Sequence, residues 1–215
     1  MPDLVAAVRD QGYVHIRQTL GLDGFRALAA EIGHVVGEEA IELRDGAHAY
    51  VAQPGAVPFH TDQAQVEIIG WLCRDQDQGD GASLLLDSRG ILTDMTPASH
   101  DRLRHVKLAC PPVVGGPPAM AFPVIRECGE RHLFFCSPWL DPIDGTAEAR
   151  EALGELGSLI ETRSRTDTIR IRLEPGESLF IDNQRVMHGR SELPPTSRRR
   201  LHRIWLITRA TALLE

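Results

Sequence analysis

Residues 57–65, VPFHTDQAQ, place His60 and Asp62 on either side of a single threonine, just after a proline and an aromatic residue. At positions i and i+2 of a strand, both side chains point to the same face and could converge on one ion. Two histidines and one carboxylate are the usual ligands of an iron(II) site that leaves room for O2 and a co-substrate. The alternative interpretation is a polar turn, in which Asp62 accepts hydrogen bonds from local backbone N–H groups.

A second segment, residues 180–206, could supply the third ligand and an anion-binding group. His188 follows a β-like run there, and Arg203 lies in the next β-like run. A planar guanidinium on a neighbouring strand suits bidentate recognition of a dicarboxylate. Leu201, Arg203 and Trp205 alternate along their strand and are predicted to face inward, where an unpaired arginine would be costly. Arg203 could instead neutralise an acidic residue on a neighbouring strand.

The segments PFHTD and DNQRVMHGR…RRRLHRIWL together resemble the iron(II)/2-oxoglutarate-dependent oxygenases of the taurine dioxygenase and clavaminate synthase type. The resemblance extends in order through nearly the whole chain and includes the segment GDGASLLLD between the two. It implies that His60, Asp62 and His188 bind iron(II), and that Arg203 binds the distal carboxylate of 2-oxoglutarate. It also implies that Ser83 helps to hold this co-substrate, since the family commonly has a threonine there.

The same resemblance implies further features of the reaction. Arg199 matches an additional arginine of the family, although the run of arginines at 198–200 leaves its register open by one residue. O2 and 2-oxoglutarate would be converted to succinate and CO2 while a substrate is oxidised. Related halogenases replace the carboxylate ligand with a small residue, whereas Asp62 keeps it. Hydroxylation is therefore the default outcome, with desaturation, epimerisation and ring formation left open.

The expected substrate is a small molecule, either an amino acid or a natural-product intermediate. Tyr50, Arg190 and Trp139 are candidate substrate contacts, because their segments approach the mouth of the expected fold. Core packing of the two rings and a salt bridge at the rim for Arg190 are the alternatives. Two other functions stay open. One is a metal-binding protein or isomerase without oxygen chemistry, and the other is an oxygenase of proteins, for which residues 111–145 would have to leave the site open.

The chain of 215 residues is long enough for one domain with a sizeable core and too short for two. About eight short β-like runs separated by turn residues indicate a mainly β protein with flanking helices. These runs are AHAYVAQ, VEIIGWLC, ASLLLD, AMAFPVI, HLFFCS, TIRIRL, ESLFID and RIWLIT. The resemblance implies a distorted double-stranded β-helix, or jelly roll, with a helix-strand-helix lead-in over about residues 1–36 and a lid or insert over about residues 88–165.

Capping and turn residues add local predictions. Asp3 and Asp23 could cap the two helices of the lead-in, and Thr96 could cap a helix that begins at the following proline. Apolar residues at helical spacing predict a longer helix within residues 145–163. The segment TIRIRLEPGESLFIDN alternates on both sides of a Pro-Gly turn, which predicts a β-hairpin.

Composition limits the partners. The formal net charge is −7 and basic residues are scattered outside the arginine run, which argues against nucleic acid and anionic membranes. No apolar run approaches the roughly 20 residues of a membrane span, so a cytoplasmic location is expected. The four cysteines fit no CxxC pattern and are expected to be reduced. A homo-oligomer stays open, because a second subunit could cover exposed strand edges.

Overall fold

The computed structural model describes residues 4–47, 49–77, 81–110, 120–128, 131–143 and 145–208. The helices in these ranges are α1 (Leu4–Gln11), α2 (Leu22–Ile32), α3 (Ser88–Asp94), α4 (Pro97–Leu103) and α5 (Ala147–Ser164), with a 3-10 helix at Tyr50–Ala52. The strands are β1 (Tyr13–Ile16), β2 (Gly33–Glu42), β3 (Val57–His60), β4 (Ile68–Asp75), β5 (Ser83–Asp87), β6 (Lys107–Cys110), β7 (Met120–Pro123), β8 (Ile125–Cys128), β9 (Arg131–Phe134), β10 (Ile169–Ile171), β11 (Ser178–Asp182), β12 (Val186–Arg190) and β13 (Arg200–Thr208). A membrane span would need a longer and more apolar helix than any in the described ranges.

Two antiparallel sheets form the centre of the fold. The large sheet has the strand order β1-β11-β4-β13-β2, and the small sheet has the order β10-β5-β12-β3. Two further pairs, β6 with β7 and β8 with β9, form separate two-stranded sheets. The mainly β architecture with flanking helices that the sequence predicts is confirmed.

The two central sheets share an interior because their side chains alternate between two faces. In β11, Leu179 and Ile181 pack in the same cluster as Leu85 of the small sheet. Phe180, between them, belongs instead to the cluster formed with α1 and α2 on the other face. Met187 of β12 likewise points away from the shared interior, into the cluster that contains α5. The order of layers is therefore helices, large sheet, small sheet, helices.

Apolar helix faces cover the two outer sheet surfaces. Val8 of α1 and Phe25 of α2 are fully buried against the large sheet. Ile91 of α3 and Leu156 of α5 are buried against the outer face of the small sheet. The expected lid or insert thus contains helices that pack on a sheet, and its role as a lid stays a prediction.

Between α2 and β3 one predicted strand is wrong and one observed strand was not predicted. The run AHAYVAQ forms no strand in its described residues, because the chain turns through the 3-10 helix at Tyr50–Ala52 and the carbonyls of Val51 and Gln53 accept hydrogen bonds from Arg190. The polar segment before it forms β2, which the alternation of apolar residues did not reveal. β2 lies at the edge of the large sheet, where acidic side chains remain exposed and pair with β13.

The predicted hairpin around Pro175 and Gly176 is also wrong. The chain turns there, but β10 pairs with β5 in the small sheet while β11 lies between β1 and β4 in the large sheet. The connection therefore crosses from one sheet to the other. Alternation predicts two strands but carries no information on which partner each one finds.

The helix starts were partly predicted. Thr96 caps α4, and its hydroxyl accepts a hydrogen bond from the Ser99 backbone N–H at 3.3 Å. α2 begins two residues earlier than expected, with Gly21 as its N-cap. Asp23 therefore lies in the first turn, where its carboxylate interacts favourably with the positive end of the helix dipole. Asp3 lies outside the described residues. The short helix α3 was not predicted, although Asp87 caps it.

Candidate metal centre

His60, Asp62 and His188 form a cluster between the two sheets. The Nε2 atoms of His60 and His188 lie 3.6 and 3.5 Å from Oδ1 of Asp62, and the three potential ligand atoms lie within 4.8 Å of one another. Both ring nitrogens of His188 are buried and have no hydrogen-bond partner among the described residues. Buried polar atoms normally have partners, and this donor set suits iron(II), so the residues present fit a bound cation.

The backbone brings the two histidines together across paired strands. His60 ends β3 and is the register partner of His188 on β12. Gly189 lets these strands approach, since a Cβ atom there would lie 2.7 Å from the carbonyl oxygen of Val57. The Nδ1 atom of His60 is 2.9 Å from the Pro58 carbonyl oxygen. This contact fixes the orientation of the ring, so that Nε2 points toward Asp62.

Asp62 reaches the cluster from a loop, not from the strand that carries His60. β3 ends at His60, so the i, i+2 geometry of a strand does not position the carboxylate. The loop is held instead by the buried amide of Asn183, whose Oδ1 accepts a hydrogen bond from the Asp62 backbone N–H at 2.8 Å. Its Nδ2 donates to the carbonyls of Gln63 and Val66. One side chain next to β12 thereby fixes the second ligand segment.

Two side chains of β13 bind the outer oxygen of the carboxylate. Arg203 Nη1 donates to Oδ2 of Asp62 at 2.8 Å, and Trp205 Nε1 donates to the same oxygen at 2.6 Å. The other terminal nitrogen of Arg203 pairs with Glu39 on β2. The predicted inward face of β13 is present, and Arg203 has acidic partners on it.

These surroundings determine the charge states of the ligands. Burial alone would raise the pKa of Asp62, but the Arg203 charge and the interactions with His188 and His60 hold that pKa well below its usual value. Burial, followed by the neighbouring charge of His60, lowers the pKa of His188 to about 4. An ionised carboxylate beside a neutral imidazole is the form in which both groups bind a metal.

A cavity extends from the histidines into the interior between the sheets. Its polar lining includes Ser83, Arg190, Arg199 and Arg203. Arg199 is 6 % exposed, and its Nε has no hydrogen-bond partner among the described residues. Burial, and then the nearby charge of Arg190, lowers the pKa of Arg199 to about 10. The cavity therefore presents an arginine that has no close counter-charge in the part of the chain that the structure describes.

Arg190 lines the same cavity but has acceptors of its own. Its guanidinium donates to the carbonyl oxygens of Val51, Gln53 and Gly55 at 2.6–2.9 Å. These contacts tie the segment that carries Tyr50 to β12, next to His188. Arg190 thus stabilises the wall of the site through these hydrogen bonds.

A second cavity, of about 370 Å³, is lined in part by Asp62. Tyr50 and Trp139 form one wall, with stacked rings whose centroids are 4.7 Å apart, and the Trp139 ring lies 4.8 Å from that of His60. Phe135 and Trp205 add further apolar surface. The structure therefore brings the predicted residues Tyr50 and Trp139 next to the metal cluster.

Sequence reasoning missed Asn183 and Glu39 and gave Trp205 no role beyond its inward direction. Asn183 lies five positions before His188 in the quoted segment DNQRVMHGR, so a polar residue in a turn next to a ligand strand was an available signal. Nothing local distinguishes Glu39 from its neighbours on β2. Its position became visible only through the register with Arg203 on β13.

Comparison with known proteins agrees with this site. The family model described as taurine catabolism dioxygenase TauD, TfdA family, matches residues 2–205. A sequence comparison with curated proteins gave no match.

Solved structures of iron oxygenases share the fold. An asparagine oxygenase in complex with Fe(II), (2S,3S)-3-hydroxyasparagine and succinate superposes with a TM-score of 0.77 at 21% identity, covering 96% of this chain and 78% of that chain. PvcB of Pseudomonas aeruginosa, an Fe, alpha-ketoglutarate dependent oxygenase from an isonitrile synthetic pathway, gives 0.71 at 18% identity, with 98% and 81% covered. OrfP, a non-heme iron oxygenase in complex with Fe and alpha-ketoglutaric acid, gives 0.69 at 14% identity, with 96% and 80% covered.

Proposed function

The chain belongs to the TauD/TfdA family of dioxygenases, and from this premise we propose that it uses iron(II) and 2-oxoglutarate to hydroxylate an amino acid or a related small molecule. The observation that carries the proposal is the cluster of His60, Asp62 and His188, with the buried and unpartnered nitrogens of His188. We further propose that the two central sheets are the distorted double-stranded β-helix expected for such an enzyme.

His60, Asp62 and His188 would hold the iron through Nε2 atoms and one carboxylate oxygen. When bound, iron(II) with 2-oxoglutarate supplies the oxidising chemistry, in which O2 gives one oxygen atom to succinate and one to the product while CO2 is released. Three protein ligands leave the other coordination positions for the co-substrate and O2. The protein contributes by fixing ligand orientation and by excluding water.

Arg199 and Ser83 are the best-placed groups to hold the distal carboxylate of 2-oxoglutarate. Both line the interior cavity with the histidines, and Arg199 is buried with no ion pair to any described residue. A carboxylate there would remove the cost of an unpaired buried cation. Arg203, the arginine that the resemblance favours for this role, donates to Asp62 and Glu39 with its terminal nitrogens. We therefore propose Arg199 as the main partner of the co-substrate.

The substrate would occupy the second cavity, which borders Asp62, whereas Arg199 lines the first. The volume of the second cavity, about 370 Å³, is within the size range of small-ligand pockets. The stacked rings of Tyr50 and Trp139 shield the approach to His60, while Arg203 and Asp62 supply charge on the facing side. An apolar wall opposite charged groups suits an amino acid. The solved asparagine oxygenase binds a hydroxylated amino acid, which supports this choice.

The decisive experiment measures succinate formation. Protein prepared without oxygen would be mixed with Fe(II), 2-oxoglutarate and a panel of amino acids, exposed to O2, and analysed for succinate and for products heavier by one oxygen atom. We expect succinate from the wild type, stimulated by at least one panel member, and none from His188→Ala. The proposed function would be excluded if no succinate forms and calorimetry detects no binding of iron or 2-oxoglutarate. The protein would then have the fold of these oxygenases without their metal.

A pair of matched variants separates the roles of the two arginines. Arg199→Lys should raise KM for 2-oxoglutarate by roughly 10-fold or more, because an ammonium group cannot replace a planar fork that binds a carboxylate. Arg203→Lys should leave that KM within about 3-fold of the wild type and mainly affect metal binding, because Arg203 contacts Asp62. The reverse result would give the co-substrate role to Arg203.

A further inference from the structure

The chain contains three tryptophans, and each contacts a different residue of the metal cluster. The Trp71 ring lies 5.1 Å from that of His188, and the Trp139 ring lies 4.8 Å from that of His60, both in edge geometry. Only Trp205 contacts the cluster through a hydrogen bond, which its Nε1–H donates to Asp62. The three contacts thus differ in kind, and Trp205 alone acts on the carboxylate.

The two oxygens of Asp62 have separate surroundings. Oδ1 lies 3.5–3.6 Å from the Nε2 atoms of both histidines, on the side where a metal would bind. Oδ2 accepts hydrogen bonds from Trp205 at 2.6 Å and from Arg203 at 2.8 Å. An indole N–H is only a donor, so it stabilises the ionised carboxylate and cannot itself bind a cation.

The position of the Trp205 ring is built into the large sheet. Trp205 is 9 % exposed and lies on β13, with its ring 4.3 Å below the guanidinium carbon of Arg203. Its register partner on β2 is Gly37, where a Cβ atom would lie 2.3 Å from the indole ring. The ring is therefore fixed by the glycine opposite it and by the arginine stacked on it.

We propose that Trp205 is a positioning residue that keeps Asp62 a one-oxygen ligand, by holding Oδ2 away from the metal. This inference rests on the proposed metal site. If Oδ2 were free, the carboxylate could rotate and bind the metal through both oxygens, which would occupy a position needed by the co-substrate or O2. Partners in the outer shell of a metal site commonly change metal affinity by about 10- to 100-fold when removed.

The test uses Co(II) as the probe metal, because its visible d–d spectrum reports coordination number. Trp205→Phe keeps an aromatic ring but removes the donor. We expect it to bind Co(II) about 10-fold more weakly than the wild type and with an altered d–d spectrum. Arg26→Lys, an exposed substitution in α2 whose ion pair is with Glu38, is the control and should bind Co(II) with affinity and spectrum close to those of the wild type. Identical Co(II) affinity and spectrum in Trp205→Phe would overturn the inference.

A second measurement uses the wild-type fold and covers the case in which Trp205→Phe does not fold. In 15N-labelled wild-type protein the Trp205 indole N–H resonance, assigned by comparison with the Trp71→Phe and Trp139→Phe proteins, should exchange slowly with solvent and remain protected when Zn(II) is added. Rapid exchange in the Zn(II)-bound protein would contradict the proposal. Gly37→Ala, which crowds the ring but keeps the donor, should weaken Co(II) binding as Trp205→Phe does.

The outcomes separate this inference from the proposed function. If the wild type binds no Co(II), or binds it equally after His188→Ala, both fail. If the wild type binds Co(II) and Trp205→Phe behaves identically, only the role of Trp205 fails. If Trp205→Phe binds Co(II) more weakly with a changed spectrum but the wild type forms no succinate, the oxygenase function fails and the positioning role stands.

Discussion

At the scale of single residues, burial decides which groups are reactive. Asp62 is held ionised because Arg203 and the histidines outweigh the effect of burial on its pKa. Arg199 is buried without a close counter-charge, and burial lowers its pKa to about 10. Burying a charged group lowers the stability of the fold unless a partner of opposite charge binds to it. Both groups therefore mark places where a charged partner binds. For Cys73 and Cys136, in contrast, burial is the largest effect and raises the pKa of the thiol.

Cys73 and Cys136 should be inert toward alkylation in the folded protein. Burial raises the pKa of Cys73 to about 11 and that of Cys136 to about 12, so the thiolate is scarce at neutral and mildly alkaline pH. Because the reactive form is the thiolate, alkylation should accelerate only as pH rises toward these values. Iodoacetamide labelling at about pH 8, followed by peptide mass spectrometry, should modify both residues at least about 100-fold more slowly in native protein than in urea. Rapid native labelling of either would contradict the burial.

At the scale of elements, the site depends on side chains that join segments distant in the chain. Asn183 connects the turn before β12 to the loop of Asp62, and Arg190 connects β12 to the segment that carries Tyr50. Asp87 connects β5, α3 and the turn after β11, because its carboxylate binds the backbone N–H of Arg89 and the guanidinium of Arg185. The contacts of Asn183 and Arg190, and that between Asp87 and Arg185, join elements that are distant in the chain.

Arg190→Lys should loosen the segment around Tyr50. An ammonium group cannot reach three carbonyl oxygens at once as the guanidinium does, so residues 51–55 lose side-chain hydrogen bonds from β12. Limited digestion with trypsin should then cleave after Arg44 several-fold faster than in the wild type. Arg26→Lys, an exposed substitution in α2, serves as the matched control. Equal cleavage rates in all three proteins would show that Arg190 does not hold this segment.

Asp87→Asn should lower stability in a pH-dependent manner. Burial opposes ionisation of Asp87, but hydrogen bonds from Arg185 and Arg89 outweigh it and lower the pKa of Asp87 below its ordinary value. A lowered folded-state pKa means that the carboxylate stabilises the fold above this value, and that the stabilisation is lost as pH falls through the folded-state pKa. At pH 7 the substitution should cost about 1 kcal/mol or more, since it weakens a helix cap and leaves a buried arginine with a weaker partner.

Urea unfolding at several pH values tests the Asp87 prediction. The difference in unfolding free energy between wild type and Asp87→Asn should be largest near neutral pH and should narrow below about pH 4. Asp101→Asn, an exposed residue of α4 with a long 3.7 Å ion pair, is a suitable control and should change little. A pH-independent difference would mean that the charge of Asp87 is not the cause.

At the scale of the whole molecule, the metal ligands connect the two central sheets. His60 and His188 come from two strands of the small sheet, while the loop of Asp62 is held by β13 of the large sheet. A bound cation would therefore cross-link the two sheets. A cation that binds only the folded state raises the free energy of unfolding by mass action.

Zn(II) with 2-oxoglutarate should stabilise the protein against heat. At free ligand concentrations of about 100 times Kd, the gain is about 2.7 kcal/mol, which corresponds to a Tm increase of roughly 5–10 °C for a chain of this size. Differential scanning fluorimetry of wild type and His188→Ala measures the effect. The variant should show no metal-dependent increase. A shift of equal size in both proteins would place the binding elsewhere.

The sequence by itself determined the residue types of the site and the class of fold. The pattern of His60, Asp62 and His188 fixes the ligand chemistry, because that chemistry depends on side-chain type and order. Alternating apolar runs determined that most of the core would be strands, since alternation is a local property. Thr96 and its following proline marked a helix start for the same reason.

Only the tertiary structure decided how these parts meet. It separated β10 from β11 into different sheets, formed β2 from a polar segment by pairing it with β13, and positioned Asp62 through Asn183 rather than through its own strand. It also gave Arg203 two acidic partners and brought Trp205 to the carboxylate. Strand pairing and register depend on contacts between residues far apart in the chain, and neither spacing nor periodicity within one segment records those contacts.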